Sequence, residues 1–126
     1  MGTEGLRFSK DHEWVRREGE RFYIGITDFA QHSLGDIVFL ELPKKGAAVK
    51  AGEVLGVVES VKAASDVYSP VSGVVADING GLTDMPENLN REPYESWLAA
   101  LEQVDAGELD LLMDEGEYEK FCAEGA

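Results

Sequence analysis

The chain has 126 residues, a length that suits one domain with a modest hydrophobic core. Its 25 acidic and 11 basic residues give a formal net charge of −14, which excludes nucleic acids and anionic membranes as partners and favours proteins with basic docking surfaces. No apolar run is long enough for a membrane span, and a single cysteine rules out an internal disulfide. The N-terminus lacks a signal or transit pattern, so we expect a cytoplasmic protein, or a mature protein of the mitochondrial matrix.

The first third of the chain predicts a hairpin, a helix and a strand. Apolar residues alternate loosely over residues 13–26, and an acidic, glycine-containing segment at 18–20 is typical of a turn between two strands. Residues 27–34 predict a short helix, because a threonine can cap its start and a glycine follows its end. Residues 37–42 predict a strand that a proline ends.

The middle of the chain predicts a hairpin with a lysine at its bend. Valine-rich runs at 54–58 and 67–71 flank Lys62, and small residues surround it. Gly52 lies ten residues before the lysine and Gly73 eleven after it, which predicts matching turns and a quasi-symmetric pair of sheets. The amine of such a lysine is either an ordinary solvated charge or an attachment point for a swinging group.

The last third of the chain predicts short alternating elements. They are a strand (74–78), a turn (79–81), a short helix near 87–89 and a segment at 97–101 that suits either a strand or a helix. Two C-terminal helices are then expected over about 106–123. Asp105 followed by Glu108 resembles a capping box, and Asp114 followed by Glu117 repeats the pattern.

Five short motifs carry a resemblance that runs from Phe8 to about Cys122. In chain order they are 9–15 (SKDHEWV), 25–31 (GITDFAQ), 34–43 (LGDIVFLELP), 57–63 (VVESVKA) and 68–73 (YSPVSG). In this order they are similar to the glycine cleavage system H-protein family of lipoyl carriers. Biotinyl carriers share the fold but usually place methionine beside their lysine. Val61 and Ala63 therefore favour lipoate over biotin as the cofactor on Lys62.

The resemblance implies a mainly β fold. The expected architecture is a lipoyl-domain-like barrel-sandwich hybrid of two antiparallel sheets with quasi-two-fold symmetry, a short N-terminal helix and C-terminal helices. It also decides for a strand at 97–101. No linker divides the chain, so we expect a single lipoyl-carrier domain over residues 1–126, with its core at about 8–104 and its helices at about 106–123.

The resemblance also implies a carrier rather than an enzyme. The protein would carry the aminomethyl group of glycine on lipoyl-Lys62 from glycine decarboxylase (P protein) to the aminomethyltransferase (T protein). Dihydrolipoamide dehydrogenase (L protein) would then reoxidise the arm. A lipoate ligase or lipoyl transferase would attach the lipoate.

Five further residues take roles from the same resemblance. Glu59 corresponds to the acidic position that the lipoylating enzyme recognises, although it is also one of many surface carboxylates. Asp66 and Glu13 correspond to positions that line a cleft where the loaded arm rests, and a carboxylate there would hold the basic aminomethyl group. Asp11 and His12 flank this cleft, and an ordinary histidine with a backbone partner is an equally good interpretation of His12.

Catalysis and metal binding by the chain itself are disfavoured. His12 and His32 are its two histidines, and their spacing fits no compact metal motif. Glu59 and Asp66 could in principle do general acid–base work. A hairpin tip, however, lacks the concave, desolvated setting that tunes such carboxylates.

One segment departs from the family pattern and leaves an alternative open. Residues 93–97 (PYESW) are shorter than the family's version and lack its glycine, and residues 98–102 lack its usual lysines. An H-like lipoate-binding protein of another pathway, such as sulfur-compound oxidation, therefore remains an alternative, as does delivery of lipoate to other acceptors.

Overall fold

The computed structural model describes residues 5–125, and within them nine strands form two antiparallel sheets. The six-stranded sheet contains, in spatial order, β1 (Arg7–Phe8), β2 (Glu13–Glu18), β3 (Arg21–Ile26), β9 (Ala99–Glu102), β8 (Gly73–Ile78) and β5 (Ala48–Val49). The three-stranded sheet contains β4 (Ile37–Glu41), β6 (Val54–Ser60) and β7 (Ala64–Tyr68). The predicted mainly β fold with two antiparallel sheets is therefore confirmed.

Four short α-helices accompany the sheets in the described part of the chain. They are α1 (Asp28–Leu34), α2 (Gly81–Asp84), α3 (Asn88–Arg91) and α4 (Glu115–Ala123). A 3-10 helix, Ala106–Leu111, precedes α4. The short N-terminal helix and a C-terminal helix are thus present as expected, and the ambiguous segment at 97–101 contributes to strand β9.

Two hairpins confirm predicted turns. In the β2–β3 hairpin Glu18 pairs with Arg21 around Gly19, whose φ of +64° is a left-handed value that glycine adopts freely. In the β6–β7 hairpin Glu59 pairs with Ala64, so residues 60–63 form the bend. The lysine-bearing bend therefore lies at one end of the three-stranded sheet.

Three clusters of buried side chains form the core. The first is built chiefly from the six-stranded sheet, including Phe22, Ile24 and Leu101. The second combines the three-stranded sheet with α2 and α3, and the third packs Tyr118 of α4 against Phe8 and other N-terminal residues. Each fully buried large apolar side chain contributes roughly 1.5–3 kcal/mol to the free energy of unfolding. The third cluster is what fixes α4 on the body of the domain.

Helices α1 and α4 begin as their sequences predict. The hydroxyl of Thr27 accepts a hydrogen bond from the Ala30 N–H, which satisfies a free donor in the first turn of α1. Gly35, with φ of +81°, follows the last turn and donates its N–H to the Gln31 carbonyl. The capping box of Asp114 with Glu117 is fully formed at the start of α4.

Residues 106–111 form a 3-10 helix where an α-helix was predicted. Asp105 accepts a hydrogen bond from the Gly107 N–H, but the Glu108 carboxylate does not accept the Asp105 N–H as a capping box requires. The Glu108 carboxylate instead accepts the backbone N–H of Ser72 at 2.8 Å and the Ser72 hydroxyl at 2.9 Å. The Glu108 side chain therefore makes a tertiary contact with Ser72 in place of the capping box.

Two other segments differ from expectation. The motif at 9–15, whose resemblance implies the family's opening strand, forms strand only from Glu13, because residues 9–12 close a turn in which the Ser9 N–H donates to the Glu13 carbonyl at 2.9 Å. His12 adopts a φ of +67° in that turn. The predicted turn at 79–81 leads directly into the single helical turn Gly81–Asp84.

Glycines serve different purposes in this fold. Gly52 has a φ of +89° and forms the expected turn, whereas Gly73 lies at the start of β8. A Cβ at Gly73 would lie 2.7 Å from the Glu102 carbonyl oxygen, so close strand packing requires glycine there. A Cβ at Gly56 would likewise lie 2.5 Å from the Glu41 carbonyl oxygen. The predicted pair of matching turns is therefore one turn and one close approach.

Candidate cofactor-attachment site

Lys62 lies at the exposed bend between β6 and β7, and Ser60 holds that bend in shape. The Ser60 N–H donates to the Ala63 carbonyl at 2.7 Å, and the Ser60 hydroxyl donates to the same oxygen at 3.2 Å. The same hydroxyl accepts the backbone N–H groups of Lys62 at 3.2 Å and Ala63 at 3.1 Å. The backbone of the lysine is therefore fixed, and the lysine itself is exposed.

The segment between α1 and β4, residues 35–36, packs against this bend and supports it. The Val61 N–H donates to the Asp36 carbonyl at 3.0 Å. The aliphatic stem of Lys62 lies over Gly35, where a Cβ would be 3.2 Å from the lysine Cε. Glycine at position 35 thus both ends the helix and leaves room for the lysine stem.

Asn90 on α3 fixes the supporting segment. Its side-chain amide donates to the Gly35 carbonyl at 2.8 Å and to the Gln31 side chain at 2.9 Å. Its side-chain oxygen accepts the Ile37 N–H at 2.9 Å. One asparagine therefore satisfies backbone groups on both sides of the loop on which the lysine stem lies.

Glu59 and Asp66 lie on the outward face of the three-stranded sheet. Glu59 pairs with Ala64 and Val57 with Asp66, so the two carboxylates are diagonal neighbours on one face. Asp66 is exposed and Glu59 is half-buried. Val61, 70% exposed, adds an apolar surface next to the lysine. A partner that grips the hairpin would meet both carboxylates.

Glu13 is a buried carboxylate that joins the two sheets. It is 2% exposed, and its side chain accepts the Ser9 hydroxyl at 2.6 Å and the Tyr68 N–H at 3.0 Å. The second bond caps the free edge of β7, two residues from Asp66. Burial raises the pKa of Glu13 from 4.5 to about 7, against the lowering effect of its two hydrogen-bond donors.

His12 and Asp11 occupy different environments although they are adjacent. Asp11 is exposed, whereas His12 packs its ring on Phe29 at 4.3 Å between centroids. The His12 Nδ1 lies 2.7 Å from the hydroxyl of Tyr118, and burial lowers the pKa of the imidazole. The structure thus places His12 among the aromatic side chains of α1 and α4, and the predicted role of both residues beside the cleft stays a prediction.

The departing segment at 93–97 is well integrated into the fold. The Pro93 carbonyl accepts the Trp14 indole N–H at 3.0 Å, and the Tyr94 hydroxyl accepts the Asp28 N–H at 3.1 Å. The Ser96 hydroxyl donates to the Asn88 carbonyl at 3.0 Å. The shorter version of this segment therefore supports the start of α1 and the adjoining core.

Sequence reasoning missed the residues that shape the lysine bend. Ser60 stands among small residues at the bend, and the ability of serine to bond nearby backbone groups in turns was an available signal. Asn90 lies 28 residues after the lysine, and no local pattern connects the two. Gly35 was predicted only as a helix stop.

An exposed primary amine on a fixed turn can form an amide with a carboxylic acid cofactor, which removes the lysine charge and lengthens the arm. Within residues 5–125 no group of three or more histidine, cysteine, aspartate or glutamate side chains is placed to hold a metal ion. The exposed amine on its fixed turn suits the presentation of an attached group.

No helix in the described part of the chain is long and apolar enough to cross a lipid bilayer.

Comparison with known proteins agrees with this arrangement. The family model described as "Glycine cleavage H-protein" matches residues 6–125. The chain is 60% identical to the glycine cleavage system H protein of Thermoanaerobacter sp. (strain X514), over 96% of both chains. It is 52% identical to that of Alkaliphilus oremlandii, over 97% of this chain and 96% of the other.

A solved structure gives the same result. The crystal structure of a glycine cleavage system H protein from Mycobacterium marinum matches with a TM-score of 0.85 and 31% identity, and the match covers 98% of this chain and 99% of the other. Family model, sequence relatives and fold therefore agree over nearly the whole chain, and the chain belongs to the glycine cleavage H-protein family.

Proposed function

We propose that lipoate is attached to Lys62 and that the protein carries the aminomethyl group of glycine on it. As a member of the H-protein family, the protein is a non-catalytic carrier component of the glycine cleavage system, and the family carries lipoate. The observation that carries the assignment is the position of Lys62 at an exposed bend fixed by Ser60. A fixed backbone presents the amine to a modifying enzyme, and the long, exposed stem can move away from Gly35 when a cofactor is attached.

The residues around Lys62 suit a tethered cofactor. Lipoate supplies a disulfide that accepts the aminomethyl group, and the protein supplies its presentation. Tethering raises the effective concentration of the reactive group at each partner. Gly35 leaves space for the stem, and Ala63 and Ala64 leave the hairpin open to the lipoylating enzyme. Glu59, three residues before the lysine, is the carboxylate that this enzyme would recognise.

The loaded arm would rest beside Glu13 and Asp66, with Asp11 and His12 at the margin of the same cleft. The support is that Glu13 bonds to β7 at Tyr68, two residues from Asp66 on the same strand. The exposed Asp66 carboxylate can pair with the ammonium form of the aminomethyl group.

Interaction with the other components of the system follows from family membership. The specific partners that we propose are glycine decarboxylase, the aminomethyltransferase, dihydrolipoamide dehydrogenase, and a lipoate ligase or lipoyl transferase. The net charge of −14 supports basic docking surfaces on these enzymes. The names of the relatives favour glycine cleavage over sulfur-compound oxidation. We also propose a cytoplasmic location, since these relatives are bacterial and the single cysteine permits no internal disulfide.

Mass spectrometry after treatment with a lipoate ligase tests the attachment site. The expected result is the mass increase of one lipoyl group on the peptide that contains Lys62. A lipoyl group on another lysine, or none under conditions that modify an authentic H protein, would overturn the assignment.

A further inference from the structure

A groove with a volume of about 670 Å³ lies between α1 and α4, apart from the lysine bend. Its lining includes the aromatic rings of Phe29, Tyr94 and Tyr118. It also includes three carboxylates, Asp28, Glu115 and Glu119. None of these six residues has a role in the lipoate attachment proposed above.

The aromatic part of the groove is held in place by bonds that do not require a ligand. Tyr118 stacks on Phe8 with ring centroids 4.5 Å apart and an interplanar angle of 7°. Its hydroxyl lies 2.7 Å from both Thr27 Oγ1 and His12 Nδ1. The Tyr94 hydroxyl accepts the Asp28 N–H at 3.1 Å. The surface is therefore preformed, which lowers the entropy lost on binding.

The charge of the groove is unbalanced. Glu115 and Glu119 are four residues apart on α4 and so lie on the same helix face. The groove lining includes no lysine or arginine, and no cation of residues 5–125 forms an ion pair with Asp28, Glu115 or Glu119. Aromatic faces beside carboxylates suit a cation carried on an apolar stem. Among protein groups, lysine and arginine side chains have this chemistry.

The groove lies close to the segment that contacts the Lys62 stem. His32 and Ser33, on the last turn of α1, belong to its lining. Gly35, over which the Lys62 stem lies, follows within three residues of His32. Gly35 is the first residue after α1, so the groove and the segment beneath the lysine stem adjoin in the chain. A protein docked in the groove would therefore have the arm within its reach.

We propose that this groove docks a lysine or arginine side chain of a partner enzyme of the glycine cleavage system and so positions that enzyme beside the lipoyl arm. The proposal rests on the proposed function, because it takes the partner from that system.

The test uses lipoylated full-length protein as substrate in three separate reactions: glycine–bicarbonate exchange, aminomethyl transfer to tetrahydrofolate, and dihydrolipoyl reoxidation. The variant E115Q/E119Q removes two groove charges. The control E20Q/D110N removes two charges at exposed positions outside the groove. We expect KM for the carrier to rise about threefold to tenfold in at least one reaction for the groove variant, with kcat and thermal unfolding unchanged. The salt dependence of that KM should also weaken.

A second variant, F29L, keeps apolar volume but removes the aromatic ring, one face of which stacks on His12. We expect it to raise the same KM by about twofold to threefold. Equal KM values for wild type and both groove variants, or equal increases in the groove and control variants, would overturn the groove while leaving the proposed function intact. A lipoylated wild type that is inactive in all three reactions would overturn the proposed function and the groove together.

Discussion

The lysine bend (residues 60–63) and the contact of Glu13 with Ser9 and Tyr68, here called the Glu13 corner, place an ionisable side chain in opposite environments. At the bend, Ser60 and backbone groups hold the turn, and Lys62 itself is exposed. At the corner the carboxylate is 2% exposed and is itself the group that accepts the hydrogen bonds. The fold therefore leaves a side chain exposed where we propose that the cofactor is attached, and buries one where two sheets are joined.

Strand β7 connects the two regions. Its first residue, Ala64, follows the lysine bend, and its last residue, Tyr68, donates its N–H to Glu13. Because β7 is an edge strand of the three-stranded sheet, the bond to Glu13 satisfies a backbone group that would otherwise lack a partner within the sheet. The corner thus stabilises the strand that presents the lysine.

The largest expected effect is complete loss of lipoylation in Lys62→Arg. Arginine keeps a positive charge but offers no amine that forms the amide, and the exposed position tolerates the longer side chain. Mass spectrometry after ligase treatment measures the effect, with Lys50→Arg, another exposed lysine, as the matched control. A lipoyl group on the Lys62→Arg protein would contradict the assignment of Lys62 as the attachment site.

Glu13→Gln tests whether the buried Glu13 carboxyl makes the stability of the protein depend on pH. Since the pKa of Glu13 is raised to about 7, the folded protein holds a proton between pH 4.5 and 7 that the unfolded chain has released. Wild-type stability should therefore fall as pH rises through this window, by about 3 kcal/mol relative to Glu13→Gln. Urea unfolding at several pH values measures the difference.

An exposed variant, Glu20→Gln, controls for the charge change in that experiment. Parallel pH profiles for wild type and Glu13→Gln would show that the corner carboxylate does not titrate as its burial requires.

Ser60→Ala should weaken the bend without removing the lysine. Loss of the hydroxyl leaves the N–H groups of Lys62 and Ala63 without their side-chain partner, so we expect about 1–2 kcal/mol of destabilisation and slower lipoylation. Ser65→Ala, in the neighbouring strand, is the control. Chemical denaturation and ligase kinetics measure the two effects, and wild-type values in both would contradict the role of Ser60.

The smallest expected effect is a severalfold slower lipoylation of Glu59→Ala with unchanged stability. Glu59 lies outside the core, on the outward face of the hairpin that the lipoylating enzyme would contact. Glu41→Ala, on the adjacent strand β4, provides an acidic control near the same hairpin. Equal modification rates for the two variants would assign Glu59 to the general acidic surface.

The sequence predicted the elements whose signals are local. The β2–β3 hairpin, helix α1 and the lysine bend follow from alternation, a threonine cap and small residues between valine-rich runs. The 3-10 helix at Ala106–Leu111 did not follow, because Glu108 bonds to Ser72, 36 residues away. Burial of Glu13 and the bonds from Asn90 to the loop below Lys62 likewise depend on distant partners. The residues predicted from local patterns therefore make up the proposed site, and long-range contacts create its environment.

Glycine–bicarbonate exchange with a glycine decarboxylase tests whether lipoyl-Lys62 carries the aminomethyl group of glycine. The lipoylated protein, the Lys62→Arg variant after the same ligase treatment, and an authentic lipoylated H protein are compared at equal concentration. We expect exchange with the wild type, none above background with Lys62→Arg, and a rate for the wild type close to that of the authentic carrier. A wild type that carries lipoate on Lys62 and yet fails to support exchange, while the authentic carrier succeeds, would contradict this role of lipoyl-Lys62.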